Sequence, residues 1–449
     1  MKKMEHRAIL CLILAALLFA GLAVYVFRFT TQGHEWATYY FNKHIFSEGH
    51  LATGNVYDVN GTLLAGNRNG GIRYYKGYYT RRATAHAVGD PDGAVSTSAE
   101  SAFRDKLVGY NLLTGTYKAA SHGNDVTLTI DKDICLEAYQ AMAGRDGCVG
   151  VYNYKTGEII CMVSTPTFDP ADPPKMSEAK SGTFMNKFLL GTMTPGSIFK
   201  LVTSAAAIET YDGLGSWSYN CTGSRTYGNE KITCVSAHGK ENFRQALANS
   251  CNCGFADLTE KVGAGKMRKY TKKAGLTTSY DIDGIHNAEG TFQFPSYAPM
   301  SLAWAGIGQW KDQLNPCSML VYVSAIATDG SGTVPHIIHS SMNDGDKTDQ
   351  MIDESTAKRL RRMMRNNVES EYGQYNFPGL KLYAKSGTAE LGNGLSNVWF
   401  TGFIKNKNYP YAFIVCVENS TGSGASVAGP VANKVLQRLV LTDSAATQE

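Results

Sequence analysis

Apolar positions are unevenly distributed along the chain, and the longest uninterrupted apolar run lies near the N-terminus. Residues 8–27 read AILCLILAALLFAGLAVYVF, twenty positions without a charge. A helix of that length spans about 30 Å, the thickness of the hydrocarbon core of a bilayer. The run exceeds the usual length of a signal-peptide core, and no A-x-A-like cleavage site follows it. We therefore predict a transmembrane anchor over 8–28.

The basic residues ahead of this run predict its orientation. Lys2, Lys3 and Arg7 precede it, and lysine and arginine next to a membrane span favour the cytoplasmic side. The tail 1–7 is therefore expected in the cytoplasm, and everything after residue 28 is expected outside the cell.

Between the anchor and about residue 125 the pattern changes to short alternating stretches rich in Gly, Tyr, Asn and Thr. The stretch NVYDVNGTLLA places Asn60-Gly61 between alternating apolar positions, which is a strong β-hairpin signal. TSAESAFRDKLVGY is typical of a short helix. We predict a small β-rich stalk module over 29–125.

From residue 126 to 449 the pattern is more regular and predicts one larger domain. DVTLTI reads as a strand, and Asp131 opens the helix that follows it. Two apolar strands flank a tight turn at KTG, and three more come much later, in KLYAKSGT, NVWFTGFI and YAFIVCVE. A mainly helical segment, about 197–330, separates the two groups.

This order of elements suggests an α/β (α+β) fold with one five-stranded antiparallel sheet flanked by helices. The first helix, after Asp131, and the last, PVANKVLQRLVL, would lie on one face of the sheet. The inserted helices would lie on the other face.

Charge and cysteine content narrow the function classes. The 449 residues are 18% charged with a formal net charge of +4, and the basic residues are scattered, so nucleic-acid binding is not expected. Cys221 and Cys234 flank a polar stretch and could close a disulfide loop outside the cell. Cys251-x-Cys253 lacks a second cysteine pair or nearby histidines at ligand spacing, so no metal site is expected.

Candidate chemistry comes from a serine three residues ahead of a lysine, a spacing that occurs three times. In SEAK the serine lies in a proline-rich polar loop, and in STAK it opens a basic amphipathic helix. In TPGSIFKLV, Ser197 follows a Pro-Gly turn and begins an apolar helix that must be buried. The start of such a helix offers a positive dipole end and free N–H groups. Lys200 lies within reach of the hydroxyl.

A buried lysine beside a serine can act as a base only if its pKa falls. From about 10.4 it must drop by roughly 3 units, which costs about 4 kcal/mol. Desolvation and a second cation can supply such a shift. Lys385, at the end of a predicted strand in AKSGTAE, is the candidate second cation. Ser250 and Asn252, in NSCNCGF, could relay a proton and hold a substrate amide.

The ordered set Ser-x-x-Lys, Ser-x-Asn and Lys-Ser-Gly-Thr resembles the motifs of penicillin-binding proteins and serine β-lactamases. Stretches such as YNYKTGEIICMVSTPTFDP and GIGQWKDQLNPCSM extend the likeness over about 126–440, and the chain resembles the membrane-anchored class B penicillin-binding proteins. The short N-terminal module is most similar to the PbpA type. The resemblance implies a transpeptidase domain over 126–449, outside a bacterial cell membrane, and no cofactor.

The resemblance also implies a reaction, D,D-transpeptidation of peptidoglycan stem peptides ending in D-Ala-D-Ala, with inhibition by β-lactams. Ser197 would attack the peptide carbonyl and Lys200 would take its proton. Ser250 would pass a proton to the departing D-alanine, and Asn252 would hold the acyl chain. Glycan polymerisation would come from a polytopic polymerase of the RodA/FtsW type, a partner implied by the resemblance alone.

The third motif is implied to bind the terminal carboxylate of the substrate. Lys385, Ser386 and Thr388 would contact it, with Gly387 between them in the strand. The oxyanion hole would use the backbone N–H groups of Ser197 and Thr388, and such a hole is typically worth about 10²- to 10³-fold in rate.

Three alternatives stay open at this point. A class A β-lactamase needs a Glu-x-x-Asn loop between the second and third motifs, and none lies between Asn252 and Lys385. A D,D-carboxypeptidase would use water in place of an amine, which the sequence does not distinguish. A penicillin sensor or a scaffold of a wall-synthesis complex is disfavoured by the intact motifs and by the short cytoplasmic tail. The cellular role, in elongation, division or sporulation, is equally open.

Overall fold

The N-terminal segment forms the long helix that its apolar run predicts. The computed structural model describes residues 2–37, 54–68, 71–111, 116–117, 123–340, 345–406 and 408–446. Its first element is the helix Lys2–Ala37. Within Met4–Gly33, an 18-residue window has a mean hydropathy of 2.8, and no other described part of the chain buries it. The helix is therefore long and apolar enough to cross a membrane, as predicted.

The hairpin predicted at Asn60-Gly61 is confirmed. The strands on either side pair antiparallel, and Gly61 has a φ of +74°, which a glycine adopts without steric cost. The Asp58 carboxylate accepts the backbone N–H groups of Asn60 and Thr62 at 3.1 and 2.7 Å, which closes the turn. The strands of this module are Val56–Tyr57, Leu63–Arg68, Gly71–Tyr74, Tyr110–Asn111 and Thr116–Tyr117.

The module contains more helix than its sequence pattern suggested. Tyr78–Val88 is an 11-residue helix where short strands and turns were expected. Its buried positions from Thr80 to Ala87 include an i, i+3, i+4, i+7 spacing, and it packs against the helix Lys132–Met142. Packing of this face overrides the modest helix propensity of its aromatic and β-branched residues. The helix predicted after residue 96 is present in two pieces, Ala99–Ala102 and Arg104–Val108.

A five-stranded antiparallel sheet forms the centre of the larger domain, as predicted. In spatial order its strands are Leu382–Glu390, Ser396–Ile404, Tyr411–Ser420, Gly147–Asn153 and Ile159–Thr165. Every neighbouring pair runs antiparallel. The strand late in the chain, Leu382–Glu390, lies at one edge, so its outer side is available to other parts of the molecule.

Helices cover this sheet. Lys132–Met142 and Gly429–Ala446 pack together and against it, which agrees with the predicted pairing of the first and last helices. Pro316–Ala327 packs on three of the strands and is buried at every residue. The first seven positions of the strand Tyr411–Ser420 are buried, and because successive side chains point to opposite faces, both faces of that strand are covered.

The segment between the two strand groups is mainly helical, with small β elements that the sequence pattern did not reveal. Its helices are Lys187–Leu190, Lys200–Thr210, Phe243–Ala248, Asn252–Val262, Ala264–Lys273, Pro299–Gly306, Pro316–Ala327 and, nearer the last strands, Glu354–Asn367. Its short strands are Ser218–Cys221, Ser224–Tyr227, Glu230–Thr233, Gly239–Asn242, Asp281–Ile282, Ile285–His286, Ser331–Thr333 and Lys347–Gln350.

The boundary predicted at residue 125 runs through a sheet. Val126–Thr127, expected to begin the larger domain, pairs in parallel with Val56–Tyr57 of the N-terminal module. Directly after it, the Asp131 carboxylate caps the helix Lys132–Met142 by accepting two of its backbone N–H groups. The second carboxylate oxygen accepts the side-chain amide of Asn60 at 2.9 Å. One buried side chain thus joins the hairpin of the module to the first helix of the domain.

Replacing Asp131 with alanine should lower the free energy of unfolding by about 1–2 kcal/mol, because the helix loses its cap and the Asn60 amide loses its acceptor. Thermal unfolding of the full chain in detergent measures the effect. Asp133→Ala is the matched control, since that side chain is half exposed and pairs only with the adjacent lysine within the described structure. An equal loss in both variants would contradict the capping role.

Candidate active site

The Pro-Gly turn predicted before Ser197 places that serine against the edge strand of the main sheet. Ser197 lies in a 3₁₀ turn, Gly196–Phe199, that runs directly into the helix Lys200–Thr210. Gly196 has a φ of +55°. A Cβ at that position would lie 2.6 Å from the backbone oxygen of Thr388, so only glycine allows the turn to approach the strand this closely.

Lys200 is the most highly connected polar group of the site. Its Nζ lies 3.0 Å from Ser197 Oγ and 2.7 Å from Asn252 Oδ1. It also lies 2.6 Å from the backbone oxygen of Ser250 and 3.2 Å from Ser250 Oγ. The side chain is fully buried, and this burial lowers the pKa of the Lys200 amine to about 8. The fall that the sequence argument required is therefore largely supplied by desolvation.

The second motif occupies the short link between two helices, Phe243–Ala248 and Asn252–Val262. Ser250 adopts a left-handed backbone conformation with a φ of +54°, which costs a non-glycine residue on the order of 1 kcal/mol. The following residue, Cys251, caps the second helix by accepting the Gly254 N–H. This link presents the Ser250 hydroxyl and carbonyl to Lys200.

Lys385 approaches the same hydroxyl from the sheet. It projects from the edge strand Leu382–Glu390, and its Nζ lies 3.0 Å from Ser250 Oγ and 2.9 Å from the backbone oxygen of Ser386. The side chain is fully buried. Burial, and then the nearby charge of Lys200, hold the pKa of Lys385 well below its usual value. Two amines therefore share one serine hydroxyl, which is the proximity that the sequence motifs predicted.

The rest of the third motif follows along the edge strand. Ser386 is partly exposed, and Thr388 is exposed with its hydroxyl accepting the Gly424 N–H at 3.4 Å. A Cβ at Gly387 would lie 3.0 Å from the Pro195 backbone oxygen, so this glycine, like the one before Ser197, keeps strand and turn in close contact.

Tyr372 is a residue of this region that the sequence did not indicate. Its hydroxyl accepts the Ser386 backbone N–H at 2.9 Å and lies 3.1 Å from Ser386 Oγ. Burial raises the pKa of Tyr372 to about 12, so the group stays a neutral hydroxyl. It follows the helix Glu354–Asn367 in a stretch, ESEYGQY, with no pattern that distinguishes it from other tyrosines.

The two other Ser-x-x-Lys stretches lie away from this cluster in ordinary surroundings. Ser177 is exposed, and Lys180 is bonded to Asp146. Ser355 is the second residue of the helix Glu354–Asn367, consistent with the helix-start role expected for it. Tertiary placement, not the spacing, therefore distinguishes Ser197.

The cysteines near the second motif are closer together than the sequence suggested. Cys221 and Cys234, the predicted disulfide pair, are free thiols with Sγ atoms 3.7 Å apart, against about 2.05 Å in a disulfide. Cys251 and His238 join them, and the ligand atoms of these four side chains all lie within 4.8 Å of one another. The premise that Cys251-x-Cys253 has no further donors nearby is therefore wrong, because the fold supplies them.

The geometry by itself defines a class of site. A serine hydroxyl bonded to a buried amine with a lowered pKa is an activated nucleophile. A second hydroxyl between two amines can carry a proton, and backbone N–H groups at the start of a helix favour an oxyanion. This is the site of a serine acyltransferase or hydrolase that forms an acyl-enzyme, on a five-stranded antiparallel sheet.

Comparison with known proteins narrows this class to one family. Residues 147–437 match the penicillin binding protein transpeptidase domain. The chain is 29% identical over 356 residues to Stage V sporulation protein D of Bacillus subtilis, covering 72% of this chain and 54% of that protein. It is 24% identical over 415 residues to the peptidoglycan D,D-transpeptidase PbpA of Mycolicibacterium smegmatis, covering 81% of this chain and 84% of that one.

Solved structures agree with the family match. The D,D-transpeptidase domain of a peptidoglycan glycosyltransferase from Eggerthella lenta superposes with a TM-score of 0.74 at 25% identity, over 88% of this chain and 99% of that one. The ceftriaxone acyl-enzyme of penicillin-binding protein A from Mycobacterium tuberculosis superposes with a TM-score of 0.75 at 21% identity, over 87% and 99%. The chain belongs to the penicillin-binding proteins and carries their transpeptidase domain.

The lowered pKa of Lys200 predicts how acylation of Ser197 depends on pH. Because the amine must be neutral to accept the serine proton, the acylation rate should rise roughly tenfold per pH unit below 7 and level off above about 8. Stopped-flow labelling of the full chain by a fluorescent penicillin between pH 5.5 and 9.5 measures this profile. A rate that does not change with pH over that range would contradict the role of Lys200 as a base.

Proposed function

We propose that this protein is a membrane-anchored peptidoglycan D,D-transpeptidase that cross-links stem peptides through an acyl-enzyme on Ser197. The observation that supports it most directly is the 3.0 Å contact between Lys200 Nζ and Ser197 Oγ, made by an amine that is fully buried. A serine in that contact is equipped for attack on a carbonyl carbon.

Acylation would begin with proton transfer from Ser197 Oγ to neutral Lys200 as the oxygen attacks the carbonyl carbon of the penultimate D-alanine. The tetrahedral oxyanion would be held by the backbone N–H groups of Ser197 and Thr388. Collapse breaks the C–N bond, and the leaving amine must gain a proton. Ser250 Oγ lies between Lys200 Nζ and Lys385 Nζ, at 3.2 and 3.0 Å, which suits it to carry that proton to the departing D-alanine.

Recognition of the substrate would rest on the edge strand. The carboxylate of the terminal D-alanine would be bound by Lys385, Ser386 and Thr388, and the β-lactam carboxylate would occupy the same place. Asn252 would hold the amide of the acyl chain through its side chain, whose oxygen also bonds Lys200. Tyr372 would fix the Ser386 backbone and hydroxyl, and so act as a positioning residue.

Deacylation would complete the transfer. An amine from a second stem peptide attacks the ester carbon, gives its proton to Lys200 or Ser250, and releases the Ser197 hydroxyl as the new amide forms. A β-lactam acyl-enzyme has no such acceptor and should persist for many minutes. The lack of a Glu-x-x-Asn stretch between Asn252 and Lys385 supports slow hydrolysis, as opposed to the activity of a class A β-lactamase.

The arrangement of the chain supports a location as well as a reaction. The helix Lys2–Ala37, with Lys2, Lys3 and Arg7 at its start, would cross the cell membrane with its N-terminus in the cytoplasm and the catalytic domain outside. Since 29–125 is too short for a glycosyltransferase, glycan strands would come from a separate polytopic polymerase of the RodA/FtsW type, in contact with the anchor and stalk.

Ser197→Ala should abolish covalent labelling of the full chain by a fluorescent penicillin, because no oxygen nucleophile remains. Labelling is read on a denaturing gel, and a labelled wild-type sample is followed for an hour after excess drug is removed. Ser355→Ala, in the other helix-start Ser-x-x-Lys stretch, is the matched control and should label like wild type. Wild-type protein that does not label, or that loses its label within seconds, would contradict the proposal.

A donor peptide ending in D-Ala-D-Ala distinguishes the transpeptidase from a D,D-carboxypeptidase. With a cognate acceptor amine present, mass spectrometry should detect the cross-linked product in excess of the hydrolysed peptide. Release of D-alanine with hydrolysis alone, at every acceptor concentration, would favour the carboxypeptidase. The Ser197→Ala protein supplies the background for both products.

A further inference from the structure

Five sulfur and nitrogen donors meet beside the catalytic link that carries Ser250 and Asn252. The Sγ atom of Cys234 is central to this cluster. It lies 3.7 Å from that of Cys221, 3.9 Å from that of Cys251 and 3.5 Å from that of Cys253. His238 completes a four-membered group with Cys221, Cys234 and Cys251, whose ligand atoms are all within 4.8 Å of one another.

Strand register brings the first three donors together. Cys221 ends the strand Ser218–Cys221 and faces Gly239, so His238 lies next to it across the sheet. Cys234 follows the strand Glu230–Thr233, and its backbone N–H donates to the Gly223 oxygen at 2.9 Å. This bond brings Cys234 back beside Cys221, two residues before Gly223. The fourth donor, Cys251, comes from a different element, as the cap of the helix Asn252–Val262.

Two of the sulfur–sulfur separations match those of a metal tetrahedron. With zinc–sulfur bonds of about 2.3 Å, the sulfur atoms of a tetrahedral site lie about 3.8 Å apart. The Cys221–Cys234 and Cys234–Cys251 separations, 3.7 and 3.9 Å, are close to this value. The Cys234-x₃-His238 spacing also falls within the range of short ligand pairs in zinc sites.

Two further features favour a bound cation over a group of ordinary buried thiols. Cys234 Sγ accepts the backbone N–H groups of Asn252 and Cys253 at 3.2 and 3.5 Å, contacts that stabilise a thiolate. His238 Nδ1 is buried with no hydrogen-bond partner in the described part of the chain, and the buried Glu241 Oε1 lies 4.0 Å from it. The Glu241 carboxylate also lies against the Cys251 thiol. Coordination through His238 Nε2 would leave Nδ1–H to donate to Glu241, as carboxylates do for zinc-bound histidines.

We propose that Cys221, Cys234, His238 and Cys251 bind one Zn²⁺ ion in a closed, four-coordinate structural site. Each of the three thiols releases its proton to solvent as its sulfur binds the ion, and no oxidant or reductant is required. Soft thiolates with one imidazole in a tetrahedral arrangement select zinc among the common divalent ions. Four protein ligands complete the tetrahedral coordination, which leaves no position for a water molecule on the ion. The ion would therefore take no part in acyl transfer.

The site would act by positioning the catalytic link. Ser250 and Asn252 stand on either side of the ligand Cys251, and the Asn252 side-chain amide donates to the Thr233 oxygen at 2.8 Å, one residue before the ligand Cys234. An ion bound by Cys251 and by the donors of the neighbouring strands would keep this link in a fixed position relative to Lys200. Loss of the ion should therefore weaken acylation without removing any group that touches substrate.

Elemental analysis of the full chain, purified in detergent without chelator and then washed with excess EDTA, tests the proposal. Wild type should retain about one zinc per chain. Cys234→Ser should retain less than a tenth of that amount, and Cys317→Ala, which removes a buried thiol of the helix Pro316–Ala327, should retain the wild-type amount. Cobalt substitution of wild type should give the visible absorption of a tetrahedral thiolate site.

Two more measurements keep the proposal testable if a variant fails to fold. Stripping wild type with a strong chelator should lower its melting temperature and slow penicillin labelling at least tenfold, and Zn²⁺ but not Mg²⁺ should restore both. Thiol titration of the unfolded, EDTA-treated wild type should count all ten cysteines. A wild-type protein without zinc overturns the proposal. This holds if all ten thiols are free, and also if only eight are free because Cys221 and Cys234 form a disulfide.

The fourth ligand is assigned by a matched pair of variants. His238→Ala should reduce zinc retention at least tenfold, whereas Cys253→Ala should leave it unchanged. The Cys253 thiol lies 3.5 Å from Cys234 Sγ, but it donates to the Ile232 oxygen at 3.7 Å and is not one of the four grouped donors. The opposite result would overturn the assignment of His238.

Discussion

A buried amine shared among four oxygen atoms is the contact on which the rest of the active site depends. Lys200 Nζ bonds the Ser197 hydroxyl, the Ser250 hydroxyl and carbonyl, and the Asn252 side chain. Because the amine is removed from water, its proton is held less tightly than in solution, and the oxygens around it are fixed in place. A group able to take a proton and the serine hydroxyl beside it are therefore preorganised.

The sheet makes this arrangement rigid. The edge strand Leu382–Glu390 has a free side, and the turn Gly196–Phe199 fills it. Glycines at 196 and 387 remove the side chains that would separate turn and strand. The Trp399 indole N–H, from the next strand, donates to the Thr194 oxygen at 3.0 Å and holds the start of the turn. The turn that carries Ser197 and the strand that carries Lys385 are thus joined by close backbone packing.

The link between the helices Phe243–Ala248 and Asn252–Val262 is the part of the site with least support from the sheet. It carries Ser250 in a left-handed conformation, which persists only when its surroundings hold it. Those surroundings are Lys200 and Lys385 on one side and the cysteine cluster on the other. The proposed zinc ion would give the second side the rigidity that the sheet gives to the edge strand, so both halves of the cleft would be fixed.

Much of the fold and of the candidate site could be predicted from local sequence patterns. The N-terminal apolar run predicted a helix of membrane-spanning length. The apolar strand patterns predicted a five-stranded sheet, with two strands before the helical segment and three after it. Asn60-Gly61 gave a hairpin, and the ordered motifs gave Ser197, Lys200, Ser250, Asn252 and Lys385 as one cluster. These succeed because chain direction, period and turn chemistry are local properties, and because the motif order is specific to a family that the chain resembles.

Other features depended on contacts between segments far apart in sequence. The helix Tyr78–Val88 forms because it has a helix to pack against, and Val126–Thr127 joins the N-terminal sheet because its partner strand lies there. Tyr372 reaches Ser386, and Cys221, Cys234 and His238 reach Cys251, only through the fold. The sequence alone therefore determined the family, the sheet and which side chains of the three motifs lie together. Tertiary structure decided which polar groups surround them, because burial and donor distance are properties of packing that no spacing along the chain encodes.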